Sequence, residues 1–484
     1  MPAPTSSDAP GSIRTSQLLD AAQGPLHPAA RETLLAALDL GWADPRRLYG
    51  SARRSRALLD QAREIIAHGL GVRPAELSFH SSGAAALQTG LTGLLHARRR
   101  RGRTLVASAV EHSVVLTHGR ARAAQDPADA LSVVDVDEFG RVDLTEWDAA
   151  VSADGIAAAV LQHANGEVGT VQPLEEGYAR AQLSGVPLLC DAQASLGRMA
   201  PPSAADVVVG SAASFAGPPT VGLLVVREGT RFAVPGRPLE AEHGRAPADP
   251  WVPLVLAAAE AWRQVEATRE EEAASAYRLI ERLRADLGAI EGLEVAGHPT
   301  ERLPHVLTAS ALYVDGETMV HELARRGLEV ASGSACTAST LEPSHVLAAM
   351  GALSQGNIRV SLPLEAVAPA RAQACAALPD AVTQIVTRAR REVIDAARDE
   401  SVPAATVDAR GTLCPQPVID VARWWRANPQ APEVILLADD EAARVDLPAW
   451  CRMTGHPLRE VREASGGGTA YVIGSATDAP SEPA

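Results

Sequence analysis

Lysine is missing altogether from this chain of 484 residues; all 44 of its basic residues are arginine. No side chain can supply a primary amine, which removes lysine Schiff-base chemistry from what the polypeptide can do by itself. Arginine is no substitute, because its guanidinium stays protonated and is not nucleophilic near neutral pH. No run of eighteen or more apolar residues is present, so no membrane-spanning helix is expected. Nor does the N-terminus carry a basic segment leading into an apolar one, and nothing suggests secretion. Cysteine is scarce, odd in number and widely spaced (Cys190, Cys336, Cys375, Cys414, Cys451). That pattern is no disulfide framework, and without a CxxC pair it predicts no zinc or other metal site. A net charge of −15 argues against broad nucleic-acid binding. Cytoplasmic residence with reduced thiols is the simplest expectation.

What the chain does contain is enough apolar residue, 46%, to bury more than one core at this length. Residues 1–15 are rich in Pro, Ser and Ala and are expected to be disordered. From Leu77 onward apolar runs alternate with helical patterns. Strands are expected at 104–110, 131–136, 156–162, 187–191, 206–210 and 221–226. That alternation predicts an α/β domain with a mostly parallel sheet covered by helices over residues 16–252. Loops following such strands are where ligands bind. A long helical stretch over 253–287 leads into a smaller α+β domain, 253–398. Strands are expected there near 293–295, 305–313 and 358–361, with helices over 317–326 and 381–397. A short polar linker, 399–405, precedes a separate module at 406–474, and 475–484 reads as a disordered tail.

Two cysteines stand in chemically suggestive settings. Ser332-Gly333-Ser334-Ala335-Cys336-Thr337-Ala338-Ser339 surrounds one thiol with small residues, the composition of a loop tip that samples many positions. Val407-Asp408-Ala409-Arg410-Gly411-Thr412-Leu413-Cys414-Pro415-Gln416-Pro417 places another at a helix start. Both prolines fall where backbone N–H groups lack intrahelical partners. The helix dipole is expected to favour a thiolate or persulfide anion at Cys414.

Gly333 to Cys336 followed by Leu341-Glu342-Pro343-Ser344 resembles the persulfide-forming loop of cysteine desulfurases, the class V branch of the pyridoxal phosphate (PLP) fold-type I enzymes. Asn357-Ile358-Arg359-Val360-Ser361 resembles the segment whose arginine holds the substrate carboxylate. The run from Val407 to Pro417 resembles the opening of TusA-like (SirA-like) sulfur carriers, small βαβαββ two-layer sandwiches. These resemblances imply a PLP-transferase large domain, a small domain bearing the cysteine loop, and a carrier fused behind them. They also imply PLP as the family cofactor, a homodimer, a small-molecule or protein sulfur donor, and a downstream sulfur-acceptor protein.

The same resemblance shows what is missing. Gly217-Pro218 follows the position of the family's Schiff-base lysine, and here Ser214 stands there, with Ala213 in place of the preceding histidine. Ala85 replaces a phosphate-binding threonine, Gly166 an asparagine near the cofactor ring, and Ala194 a glutamine. His112 matches the residue that stacks on the ring, Asp191 the partner of the pyridine nitrogen, and Ser211 also persists. Together with Ser214 these mark a vestigial PLP pocket. The expectation is a persulfide relay from Cys336 to Cys414, with Arg359 binding substrate and without covalent PLP. The alternatives are an active PLP-dependent desulfurase feeding its own carrier, and a non-enzymatic adaptor of a true desulfurase.

Overall fold

The computed structural model describes residues 17–21, 24–236, 240–332, 344–396, 406–465 and 467–476. Cys336 lies outside the described residues.

The large lobe is built on seven strands in the order Leu77–His80, Gly222–Val226, Val207–Ser211, Leu188–Asp191, Ile156–Val160, Thr104–Ser108 and Ala130–Val134. Only Gly222–Val226 runs against its neighbours; the other ladders are parallel. The central strands are buried on both faces, as Ala157, Ala158, Ala159 and Val160 show. Their near-continuous apolar sequence is the one a helix-covered parallel sheet requires. Leu59, Ile66, Trp147 and Trp262 close one face. Leu87, Leu91, Leu94 and Leu116 close the other.

The helix Val252–Gly288 has 37 residues and extends about 55 Å. Its first half (Val255, Trp262, Val265) is buried in the large lobe. Its second half (Ala276, Ile280, Leu283, Leu287) is buried in the small one. One rod therefore belongs to two cores. The small lobe is an antiparallel sheet in the order Asn357–Ser361, Val306–Ala311, Leu293–Ala296. Gly316–Arg325 buries Met319 and Leu323 beside it, and Asp315 caps this helix by accepting the Thr318 N–H at 2.9 Å. The last helix of the lobe, Arg371–Ala396, starts well before the expected 381 and passes through Pro379. The apolar stripe Ala374, Leu378, Val382, Ile385 holds it against the core despite the proline, so packing overrides a local breaker.

The C-terminal module is βαβαββ: Thr406–Asp408, Gln416–Ala427, Glu433–Ala438, Ala443–Thr454, Leu458–Glu463, Thr469–Gly474. Val421, Trp424, Trp425, Leu447 and Trp450 form its core with Leu436 and Ile473. Leu312 and Leu353 of the small lobe belong to that same cluster, so the module is docked rather than merely tethered. The Trp450 indole N–H donates to the Tyr313 hydroxyl at 2.9 Å. Arg452 reaches the Glu294 carboxylate at 3.0 Å and the Gly351 carbonyl at 3.1 Å. Tyr313 holds a left-handed φ of 67°, an uncommon conformation for a bulky residue.

Candidate functional site

The carboxyl ends of the parallel strands open into a cavity of about 450 Å³, lined by His112, Asp191, Ser211, Ser214 and Arg359 among others. The structure thus brings these five residues, distant in sequence, to one place. Asp191 ends the strand Leu188–Asp191, and Ser211 ends Val207–Ser211. A 3-10 turn, Ala212–Phe215, follows at once. Within it the Ser214 hydroxyl donates to the Ser211 carbonyl at 2.7 Å. The His112 ring accepts the Val114 N–H at 3.1 Å and so caps the helix Ser113–Gln125. Burial raises the pKa of Asp191, with His112 acting in the opposite direction. Both oxygens of Asp191 are engaged by Gln193, through its N–H at 2.9 Å and its amide at 3.1 Å.

These residues do not match what covalently held PLP needs. The chain contains no amine side chain, and the side chain at the tether position is a hydroxyl bonded to the backbone. At the first turn of Gly83–Arg98, where the resembling family seats the phosphate, a Cβ on Gly83 would lie 1.9 Å from Gln193 Oε1. The Gln193 amide is therefore packed directly on that turn. Ser82 is used as a cap, accepting the Ala85 N–H at 3.1 Å.

Five further ionisable residues in the cavity, Glu111, Glu167, Arg198, His305 and His345, were not picked out from the sequence. Glu111 is fully buried; its Oε1 accepts the Gln162 N–H at 2.9 Å, its Oε2 has no partner, and burial pushes its pKa to about 8. Burial raises Glu167 to about 7, against the pull of Ser344 and Arg359. Arg198 and His305 are 5% and 6% exposed. In a sequence such residues read as surface charges; only the fold turns them inward. Glu111 lay beside a residue already singled out, and its place immediately after the apolar Val110 was the available signal.

The second centre is the docked thiol. The helix Gln416–Ala427 begins beyond Cys414, with Pro415 at its N-cap and Pro417 in its first turn. The Cys414 N–H donates to Asp440 Oδ2 at 2.7 Å. Asp446, from the neighbouring helix, and Asp440 both act electrostatically on the thiol. Asp446 Oδ1 accepts both the N–H and the hydroxyl of Ser354, each at 2.8 Å. The expected stabilisation of a thiolate by the helix end is therefore reversed. Burial first, then Asp446 and Asp440, push the Cys414 thiol far above its ordinary pKa, since desolvation and nearby carboxylates both disfavour a thiolate. Burial also lifts Asp446, to about 6. Cys451 is packed and inert, with burial pushing its thiol up to about 12. Among the described residues no group of side chains could hold a metal ion, and no helix is long and apolar enough to cross a membrane.

With this geometry in view, the comparisons with known proteins are specific. Residues 32–368 match the Aminotransferase class-V model and residues 405–474 the Sulfurtransferase TusA model. The cysteine desulfurase IscS 1 of Archaeoglobus fulgidus is 29% identical over 330 residues, covering 68% of this chain and 85% of that protein. A Nostoc cysteine desulfurase is 31% identical over 347 residues, covering 69% and 84%. The solved structure of a NifS-like protein superposes with a TM-score of 0.67 at 24% identity, over 76% of this chain and 99% of the other. The chain belongs to the class V aminotransferase family, in its cysteine desulfurase branch. At its C-terminus it carries a TusA sulfur-transfer domain.

Proposed function

We propose that this protein is a sulfur relay in which Cys336 receives sulfane sulfur and Cys414 carries it onward, without covalently bound PLP. The observation that supports this reading most directly is a succession of neighbouring residues, Ser332, Gly316, Asn357 and Ser354, leading from the cysteine loop's base to the docked thiol. The Ser332 hydroxyl lies 3.8 Å from the point that a Cβ on Gly316 would occupy, and the Asn357 carbonyl oxygen is 3.4 Å from that point. The Asn357 amide donates to the Ser354 carbonyl at 2.6 Å, and Ser354 holds Asp446 beside Cys414. Cys336 is four residues beyond Ser332, an extended reach of at most about 14 Å.

The transfer step is thiol–persulfide exchange. The Cys414 thiolate attacks the outer sulfur of a Cys336 persulfide, the S–S bond breaks, and Cys336 leaves as a thiolate. The docked thiol is held protonated by its carboxylate neighbours, so docking stores the carrier in an unreactive form. Exchange follows when undocking removes the Ser354 hydrogen bonds that keep Asp446 ionised beside Cys414. Fusion in one chain keeps the effective concentration of the partner thiol high. Arg359, in the cavity, holds an anionic donor.

The test is mass spectrometry of the full chain after treatment with inorganic polysulfide. Persulfide is expected on Cys336 and Cys414, and the Cys336→Ser variant should lose most of the label at Cys414. Absence of persulfide from both residues rejects the relay. A yellow protein that releases alanine from free cysteine would instead establish an active desulfurase.

A further inference from the structure

The strongest unexplained feature is a pair of arginines lining the cavity, Arg198 buried and Arg359 half-buried, each with a side-chain nitrogen that has no hydrogen-bond partner. Arg198 is almost fully buried. Its Nε donates to the Ser214 carbonyl at 3.1 Å, while one terminal nitrogen has no partner. It forms no ion pair among the described residues; the nearest carboxylate acting on it, Glu272, is already paired with Arg371. His305 also lines the cavity, and its Nδ1 is buried without a partner. Arg359 and Ser361 lie on the same face of one strand, and both reach the cavity, as side chains two residues apart should. The Leu362 N–H bonds the His305 carbonyl at 2.8 Å, which sets His305 beside that strand's end. The Arg359 Nε is buried and unpartnered as well. Arg198, His305 and Arg359 thus line one space, and each has a ring or guanidinium nitrogen left without a partner.

Leaving a guanidinium buried and unpaired is expensive, and an anion that accepts its N–H groups removes the cost. Planar guanidinium forks suit tetrahedral oxyanions. Burial weakens the opposition of the three acids of the cavity: it raises Glu111 to about 8 and Glu167 to about 7, and it raises Asp191 as well, against the pull of His112. We propose that this cavity is a binding site for a small divalent sulfur oxyanion of the thiosulfate class, held by Arg198 and Arg359. This assignment rests on the relay reading and names its donor. A relay thiolate would attack the outer sulfur of thiosulfate, the S–S bond would break, and sulfite would leave with the electron pair.

Isothermal titration of the full chain with sodium thiosulfate tests the site. Saturable one-to-one binding is expected, with sodium sulfate competing. Arg198→Gln and Arg359→Gln should each weaken binding by about tenfold or more, the loss of one charge-assisted contact. If Arg198→Gln fails to fold by circular dichroism, Arg359→Gln decides. No saturable heat, unchanged affinity in the folded variants, or displacement of thiosulfate by pyridoxal phosphate each overturns the proposal. Persulfide formed on Cys414 from polysulfide in a protein that does not bind thiosulfate would sink this site and leave the relay standing. Thiosulfate binding without persulfide on either cysteine would do the reverse.

Discussion

Substituting Ser354 by alanine should release the carrier domain's thiol. Ser354 gives Asp446 two hydrogen bonds, one from its N–H and one from its hydroxyl, both at 2.8 Å. The substitution removes only the second. A hydrogen bond to a charged group is worth about 1.5–3 kcal/mol, and each 1.4 kcal/mol is a factor of about ten. The undocked population should therefore rise roughly 10- to 150-fold. Reactivity of Cys414 reports that population, because undocking removes the two Ser354 bonds that lower the pKa of Asp446, the carboxylate that most opposes the thiolate. The assay is the pseudo-first-order rate of iodoacetamide labelling at Cys414, followed by peptide mass spectrometry at pH 7.5. Tyr313→Phe, which removes the acceptor of the Trp450 indole, should give a smaller rise, since that bond joins neutral groups. A Ser354→Ala rate within twofold of the parent would refute the docked, silenced thiol.

Three other outcomes follow from the geometry. Asp446→Asn should accelerate Cys414 alkylation about tenfold or more at pH 7.5, by removing the carboxylate that most opposes the thiolate, while buried Cys451 stays slow. Stability should fall as pH rises. The pKa of Glu111 is raised in the folded state, so the folded protein binds its proton more tightly, and the stabilising contribution is complete below about 4.5 and lost by about 8. Thermal melts should show that decline, and Glu111→Gln should flatten it; an unchanged slope would count against the buried acid. Trp262→Ala, at a residue 1% exposed and packed edge-on to Phe215 at 5.1 Å, should cost about 3–5 kcal/mol in denaturant unfolding.

The parallel sheet was legible because doubly covered strands are written as uninterrupted apolar runs: the expected 104–110, 156–162 and 187–191 correspond to Thr104–Ser108, Ile156–Val160 and Leu188–Asp191. The five residues that the resemblance named, His112, Asp191, Ser211, Ser214 and Arg359, line one cavity. The docking face was not legible. Ser354 and Asp446 are 92 residues apart, both are polar, and neither lies on an amphipathic pattern that would announce a partner. For the same reason the sign of the Cys414 shift was missed: a helix terminus is local and visible, whereas the carboxylate that reverses it arrives from another helix. Arg198 and His305 were hidden by composition, since an arginine-only chain offers no reason to single out one guanidinium.

The 37-residue helix shared by both lobes carries a mechanical consequence. Prising the lobes apart like a clam shell would require snapping that rod in the middle or stripping Trp262 or Ile280 from its bed. The vault at the strand ends is consequently walled by two lobes anchored to a single rod.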